Sequence, residues 1–374
     1  MKKIAIDLTW VRHGKVGGTE SSVTNLLKGL EQLHDEDCEF YLITAKDNTE
    51  LFGDYIARGY FRSIIGNTIS ASQRKRVLWQ NFGLCRLLGK NGIYDCIEPI
   101  YLMPFTPLMG IRFYAIIHDL QAKHYPEYFS ASRVGFMKTA WKNTVRKAHR
   151  VVAISDFVKD DIASTYHIDA DKIVRIYDAI DIDKEAITGD EVLDKYHVET
   201  GKFYYSVSSL LPHKNLKTII LALAKLKEAG SKAFLPLLVS GVGGHQKQEL
   251  EQMLKEHDLT EDVRLTGFVS DEVRNDFYKN CKVFLFPSIF EGFGMPPIEA
   301  MAFGAPVITT KSSSLFEVTG GKCSYVEDPL SPDEWKDVLE KEEYAKADIS
   351  SLLAQYEPEE IARQFVGMVK GEEI

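Results

Sequence analysis

Short apolar runs separated by helix-length segments recur in two series along this chain of 374 residues, and few folds accept that pattern. The first series is Lys3–Leu8, Phe40–Thr44, Asp95–Ile100, Phe113–His118, Arg150–Ser155 and Ile173–Tyr177. The second is Phe203–Ser208, Leu237–Gly241, Val263–Gly267, Lys282–Phe286, Val307–Thr310 and Ser324–Val326. Runs that are apolar throughout belong to strands covered on both faces, and strands separated by helices pair in parallel. The chain therefore reads as α/β, with two doubly wound Rossmann-like domains facing each other across a cleft. Between the series, Ile180–Thr200 is acidic and lacks apolar periodicity (Asp181, Asp183, Glu185, Asp190, Glu191), which marks a linker. The expected domains are residues 1–178 and 179–355. A closing segment, 356–374, carries Ile361, Phe365, Val366 and Val369 at helical spacing and is expected to cross back onto the first domain.

Composition excludes several classes of function. No run of about 18 apolar residues occurs, so no membrane-spanning helix is expected. The start, Met1-Lys2-Lys3-Ile4-Ala5-Ile6-Asp7, meets an acid after three apolar residues and reads as a first strand, not a secretory signal. Five scattered cysteines without a C-x-x-C pair suit reduced thiols in a cytoplasmic protein and make a zinc site unexpected. The net charge of −9 is unevenly shared: residues 1–180 carry 24 Lys and Arg against 20 Asp and Glu, and residues 181–374 carry 21 against 34. An acidic chain without a basic tract is a poor partner for nucleic acid. The basic excess gathers at Arg74-Lys75-Arg76 and along Arg133–Arg150, where Phe136, Met137 and Trp141 interleave with Lys138, Lys142, Arg146 and Lys147. That stretch reads either as an amphipathic helix packed on a sheet or as a peripheral contact with an anionic membrane or a lipid-linked acceptor.

The densest chemistry lies in Phe286–Gly304, where Glu291 and Glu299 flank a glycine turn. Lys282–Phe286 is predicted to be a strand, which puts Glu291 at its carboxyl edge, where ligands bind in open α/β sheets. Gly292 and Gly294 permit unusual backbone angles there. Pro296 or Pro297 suits the first turn of a helix ending near Gly304, and Glu299 is expected in that first turn. Both glutamates are equally explicable at this stage as helix-end and loop acids.

Other candidates are individually weak. Ser208-Ser209-Leu210-Leu211-Pro212-His213-Lys214-Asn215 ends a strand and enters a helix, placing Lys214 within reach of a phosphate, or leaving it solvated with Asn215 as N-cap. Gly241-Val242-Gly243-Gly244 is a glycine-rich strand edge. Gly267-Phe268-Val269, followed by Ser270 or Asp271 as a helix cap, is another. In the first half, Gly14-Lys15-Val16-Gly17-Gly18-Thr19 joins a strand to a helix expected to be capped by Thr19, and His118-Asp119 ends a strand.

Taken together, these residues resemble glycosyltransferase family 4, of GT-B fold. Glu291-x7-Glu299 within E-G-F-G-M-P-P-I-E-A matches that family's E-x7-E signature. Gly17-Gly18, His118-Asp119, Pro212-His213-Lys214-Asn215, Gly241-x-Gly243 and Gly267-Phe268-Val269 follow the family's order over roughly residues 4–320. The resemblance implies a retaining, metal-independent transfer of a hexose from a nucleotide-diphosphate sugar to a glycan or lipid-linked saccharide, with no cofactor, in surface polysaccharide synthesis. It assigns Glu299 to the nucleotide ribose, and Glu291 with the amides of Gly292, Phe293, Gly294 and Met295 to the donor sugar. It assigns Lys214 to the leaving diphosphate, with Ser209, Asn215 and Gly241 beside it. His118 is assigned to the sugar, Gly17 and Gly18 to the diphosphate, and the backbone at Val269 to the base. The enzyme is expected in the cytoplasm, either free or peripheral on the inner face of the membrane.

Two departures stand out. Many members carry an arginine five or six residues before the lysine; Ser208 and Ser209 stand there, so leaving-group charge rests more on Lys214, with Arg175 or Arg264 as candidate substitutes. Tyr177-Asp178-Ala179 occupies the place of a common asparagine–glycine turn. Asp169-Ala170-Asp171 and Asp181-Ile182-Asp183 are literal D-x-D strings, but both lie in or beside the linker, and no metal site is expected. The competing readings are a catalytically weak scaffold that binds nucleotide sugar, and a nucleotide-sugar epimerase of similar shape. Residues 60–80 and 121–150 are the expected acceptor face, with Tyr60, Phe61, Trp79 and Tyr125 as stacking candidates.

Overall fold

The chain folds into two α/β units, one formed by Met1–Asp181 with Ala354–Ile374 and the other by Ile182–Leu353. The computed structural model describes residues 1–12, 17–108, 110–189, 191–243 and 245–372, the side chains of 170, 245 and 246 excepted. Gly14–Val16, Asp190 and Gly244 lie outside the described residues.

The first unit holds a seven-stranded parallel sheet in the order β3-β2-β1-β4-β5-β6-β7. Its strands are β1 (Lys2–Asp7), β2 (Cys38–Thr44), β3 (Phe61–Ile65), β4 (Asp95–Glu98), β5 (Arg112–Ile117), β6 (Arg150–Ala153) and β7 (Ile173–Arg175). Ile4, Ile6, Ile97 and Ile117 are almost wholly buried, as strands covered on both faces require. The edge strand β3 is absent from the expected set, because Arg62 and Ser63 interrupt the apolar run of its sequence, FRSII, which pairs on one side only. The Gly18–Leu33 helix starts after Gly17, whose φ of +65° no β-carbon tolerates easily; Thr19 therefore falls inside the helix and does not cap it. The Pro358–Lys370 helix packs on this unit, burying Ile361, Phe365, Val366 and Val369 beside the Gly18–Leu33 helix. Lys370 reaches Asp35 at 2.8 Å, and the Ile180 amide donates to the Tyr356 carbonyl at 2.8 Å. The basic stretch is the Ala131–Lys147 helix: Val134, Met137, Ala140, Trp141 and Val145 are buried, and Lys138, Lys142 and Arg146 face solvent.

The second unit has six parallel strands, β8 (Tyr204–Val207), β9 (Leu237–Ser240), β10 (Val263–Gly267), β11 (Val283–Leu285), β12 (Val307–Thr310) and β13 (Ser324–Val326). Their order is β10-β9-β8-β11-β12-β13. Counted from its first strand this is 3-2-1-4-5-6, the doubly wound order, whose crevice opens outside the carboxyl ends where the order reverses. The reversal lies between β8 and β11. Ile219, Ile220, Leu223, Val239, Leu285, Ile308 and Trp335 belong to the core beneath it.

Candidate active site

The loops after β8 and β11 bring Lys214 and Glu291 together. Pro212–Lys214 form one 3-10 turn, and Asn215 (φ 53°) reverses the chain into the Leu216–Glu228 helix. The Asn215 amide donates to the carbonyls of Pro287 at 3.1 Å and Pro329 at 2.7 Å, and its oxygen accepts from Thr218 at 2.6 Å. Asn215 thus braces the two loops with its side chain rather than capping the helix. Ser288 Oγ and the Ile289 amide both donate to the His213 carbonyl, at 3.0 and 2.8 Å. Held this way, Lys214 Nζ lies 2.6 Å from Glu291 Oε1 and 5.6 Å from the centre of the Phe286 ring. The two side chains are only 25% and 14% exposed, so an anion that takes Lys214 must replace the Glu291 carboxylate as its partner. Burial, then the Lys214 charge, drives His213 down to about 4, against a weaker pull from Glu291, so its imidazole is neutral near pH 7.

A run of hydroxyls shapes the turn that carries Glu291. Thr309 Oγ1 donates to the Phe286 carbonyl at 2.8 Å and Thr310 Oγ1 to that of Ser288 at 2.7 Å. Ser314 Oγ donates to the carbonyls of Glu291 (3.0 Å) and Phe293 (2.8 Å), and Ser313 Oγ accepts from the Glu291 amide at 2.8 Å. Sequence reasoning passed over Thr309-Thr310-Lys311-Ser312-Ser313-Ser314, although so many hydroxyls after a strand are themselves a signal. Of the two glycines, only Gly294 takes a left-handed angle (φ 102°); a β-carbon there would also sit 2.7 Å from Leu315 Cδ2. Phe293 is buried, which leaves its backbone as its route to a ligand.

Gly294 caps the Met295–Ala302 helix, which makes Glu299 its fifth residue. The expected first-turn position is thus corrected: Glu299 is held by side chains, not chiefly by the helix dipole. Tyr278 Oη donates to Glu299 Oε2 at 2.9 Å, and Arg274 Nε lies 3.7 Å from the same oxygen. Both sit on the Asp271–Asn280 helix, four residues apart and so on one face. Burial, then the Glu299 charge, pushes the Tyr278 phenol well above its ordinary range and keeps it a proton donor. Burial alone would lower Arg274, but Glu299, Tyr278 and Asp271 outweigh it and hold it charged. These two residues were missed; an arginine and a tyrosine at i, i+4 opposite a signature carboxylate would have pointed to them.

The strand ends beside β8 come close. A β-carbon on Gly241 would lie 2.9 Å from the Ser208 carbonyl, and the Gly241 amide donates to the Gly267 carbonyl at 2.8 Å. Ser209 and Val269 flank this edge half-exposed, while the Phe268 ring is 83% exposed. Arg264 is the second residue of β10, at the opposite end from that edge, and Arg175 belongs to the first unit, 3.6 Å from Asp156. Arg274, which the sequence did not single out, is the arginine beside the E-x7-E pair.

In the first unit, His118 follows β5 half-buried, and its Nε2 has no hydrogen-bond partner among the described residues. Asp119 accepts from the Gln121 amide at 2.9 Å and forms the turn. Asp178, in the departure noted above, is buried; burial raises its carboxyl, opposed by the nearby His118 and by a hydrogen bond from Ser22. Gly17 and Gly18 open the helix after β1. Of the stacking candidates, Phe61 is core, whereas Trp79 is half-exposed. Among the described residues no group of three or more His, Cys, Asp or Glu is placed to hold a metal ion, and no helix is long and apolar enough to cross a membrane.

Fold and site together define a protein of the doubly wound α/β class whose second unit gathers Lys214, Glu291, Glu299, Tyr278 and Arg274 beyond the carboxyl ends of its strands. The match to known families is to Glycosyltransferase Family 4 over residues 16–184 and to Glycosyl transferases group 1 over residues 191–358. The O-antigen chain mannosyltransferase RfbU of Salmonella typhimurium is 30% identical over 364 residues, 95% of this chain and 96% of that protein. The N-acetylgalactosamine-N,N'-diacetylbacillosaminyl-diphospho-undecaprenol 4-alpha-N-acetylgalactosaminyltransferase of Campylobacter jejuni is 27% identical over 62% of this chain and 60% of its own. In fold, HepE of Anabaena, solved with UDP and glucose, superposes with a TM-score of 0.71 at 17% identity, covering 99% of this chain and 100% of that one. The chain belongs to glycosyltransferase family 4 and is a glycosyltransferase of GT-B fold.

Proposed function

We propose that the enzyme transfers a hexosyl group, with mannosyl as the first candidate, from a nucleotide-diphosphate sugar to a saccharide acceptor carried on a polyprenyl diphosphate, in the synthesis of a surface polysaccharide. One observation carries this reading: Glu291 and Glu299 both stand at the strand-order reversal, one on Lys214 and the other on Tyr278 and Arg274. The similarity to RfbU over nearly the whole chain supports the mannosyl group and the polysaccharide. The name of the Campylobacter relative supports the lipid diphosphate.

In this reading Glu299 takes the ribose hydroxyls, and the Gly292–Met295 turn with Glu291 takes the sugar. Lys214 leaves Glu291 for the departing diphosphate, and fixed donors of this kind each lower such a barrier by about 3 kcal/mol. Ser209, Gly241 and Val269 border the diphosphate and base. His118, Gly17 and Gly18 are assigned by family resemblance, supported by their position at the carboxyl edge of the first sheet. The transfer retains configuration, the leaving phosphate taking the acceptor proton on the same face, and it needs no resident metal. The basic face of Ala131–Lys147 serves peripheral contact with the inner face of the membrane. The test is GDP release from GDP-mannose: slow release without acceptor, accelerated by acceptor, supports the transferase. Tight donor binding without release favours the scaffold reading.

A further inference from the structure

We infer that Asp7 and Glu98 hold one proton between them, and that this proton latches the π turn Gln80–Leu84 onto the first sheet and releases it as pH rises. The latch lies wholly within the first unit and is independent of the donor and acceptor proposed above.

Strand register brings the two acids together. Asp7 ends β1 and Glu98 ends β4, neighbouring parallel strands that pair Ile6 with Ile97. The two carboxyls therefore follow as the next pair, at the point where the first sheet reverses its strand order. Paired strands lie about 4.8 Å apart, and like charges directly opposite repel. Asp7 is 1% exposed and Glu98 is wholly buried, so water screens neither charge.

Gln80 shows where a proton is needed. The Gln73–Trp79 helix runs into the π turn, which rotates side chains out of the α-helical register and turns Gln80 into the core. Its Nε2 lies 3.0 Å from the Leu102 carbonyl, 3.2 Å from Glu98 Oε2 and 3.3 Å from Asp7 Oδ2. An amide nitrogen carries two hydrogens, so three acceptors leave one unanswered. A carboxyl proton on one acid, donated to the other, answers it and removes one of two like charges. Burial, then the Asp7 charge, holds the Glu98 carboxyl well above its ordinary range. Burial also raises Asp7, against hydrogen bonds from Thr9 and the charge of Arg76. What the latch holds is tightly seated: a β-carbon on Gly83, in the turn, would come 2.5 Å from the Trp79 indole.

The surroundings suit a pair with one negative charge. Arg76, on the same helix, faces Asp7 and donates through Nη1 to the Ser70 carbonyl at 2.9 Å, while Arg12 and Tyr101 face Arg76. Cys85, at the start of the Cys85–Lys90 helix, and Cys96 on β4 are thiols that burial raises, so both are neutral near pH 7. Asp95, at the far end of β4, is paired with Arg112 at 2.6 Å. When the turn opens, the shared O–H bond breaks, the proton passes to water and both carboxylates become hydrated, with ordinary values near 4. Opening thus releases one proton, and its equilibrium constant rises about 10-fold per pH unit.

Hydrogen exchange of the full chain, read by mass spectrometry over residues 79–90 and corrected for the intrinsic effect of pH, measures the open fraction. In wild type that fraction should rise about 10-fold per unit between pH 6.5 and 8.5. Glu98→Gln supplies a permanent amide hydrogen in place of the proton and should hold the rise below about 2-fold per unit. Should that variant not fold, Asp7→Asn makes the same change on the neighbouring strand and carries the same expectation. An open fraction independent of pH in wild type overturns the latch, as does an unchanged slope in the variant that folds. Exchange over 79–90 that matches β5 at every pH also overturns it, because opening is then unfolding of the whole unit.

Discussion

At the residue scale the site is a set of charges held by neutral neighbours. Tyr278 fixes Glu299 with one hydrogen bond to a carboxylate, and such bonds contribute about 1.5–3 kcal/mol. Tyr278→Phe should therefore weaken donor binding by about 10-fold or more with little change in kcat, read from separate KM and kcat values; an equal fall in kcat would place Tyr278 in the chemical step. His213 gives a pH signature. Its folded value, about 4, lies below the ordinary 6.5, so the unfolded chain binds the extra proton and stability falls as pH drops through 6.5 towards 4. From those two values, wild type should lose about 2 kcal/mol more than His213→Asn between pH 7 and pH 5 in urea unfolding. Parallel losses would show that His213 protonates freely in the fold. Glu291, Glu299, Lys214 and His118 could be singled out as candidates because strand ends and an eight-residue spacing are local patterns, and of these the structure brings Lys214 and Glu291 into contact. Tyr278 and Arg274 could not, because what singles them out is contact with Glu299 across more than twenty residues of sequence.

At the scale of elements, regular strands and helices were legible wherever apolar periodicity was strong. β3 escaped because an edge strand with Arg62 and Ser63 lacks a continuous apolar run. The π turn escaped because its register depends on Gln80 meeting two buried carboxyls from other strands. The Pro358–Lys370 helix was legible as a helix. The intimacy of its packing was not, since it depends on one glycine: a β-carbon on Gly29 would lie 1.9 Å from the Pro358 carbonyl oxygen. Gly29→Ala should destabilise the first unit by about 3 kcal/mol, near the upper end for overpacking. Urea unfolding followed by the first unit's fluorescence measures it, and a loss under 0.5 kcal/mol would show that the helix shifts freely.

At the scale of the whole molecule, the proposed reading gives charge neutralisation of the leaving group to Lys214 and helix-start amides and calls for no resident metal. Turnover should then survive dialysis against EDTA without loss, and a fall restored by Mg²⁺ or Mn²⁺ would reassign that work to a cation. The doubly wound units were readable from alternation alone, whereas the donor and acceptor identities rest on similarity to relatives and on loop geometry. The most direct measurement of the central claim is the rate of GDP release from GDP-mannose by wild type, Glu291→Ala and Lys214→Ala, each checked for an unchanged unfolding transition. Slow release by wild type and at least a 100-fold loss in both variants is the predicted result, in line with removing a fixed donor or sugar contact. Equal rates in all three proteins would contradict it.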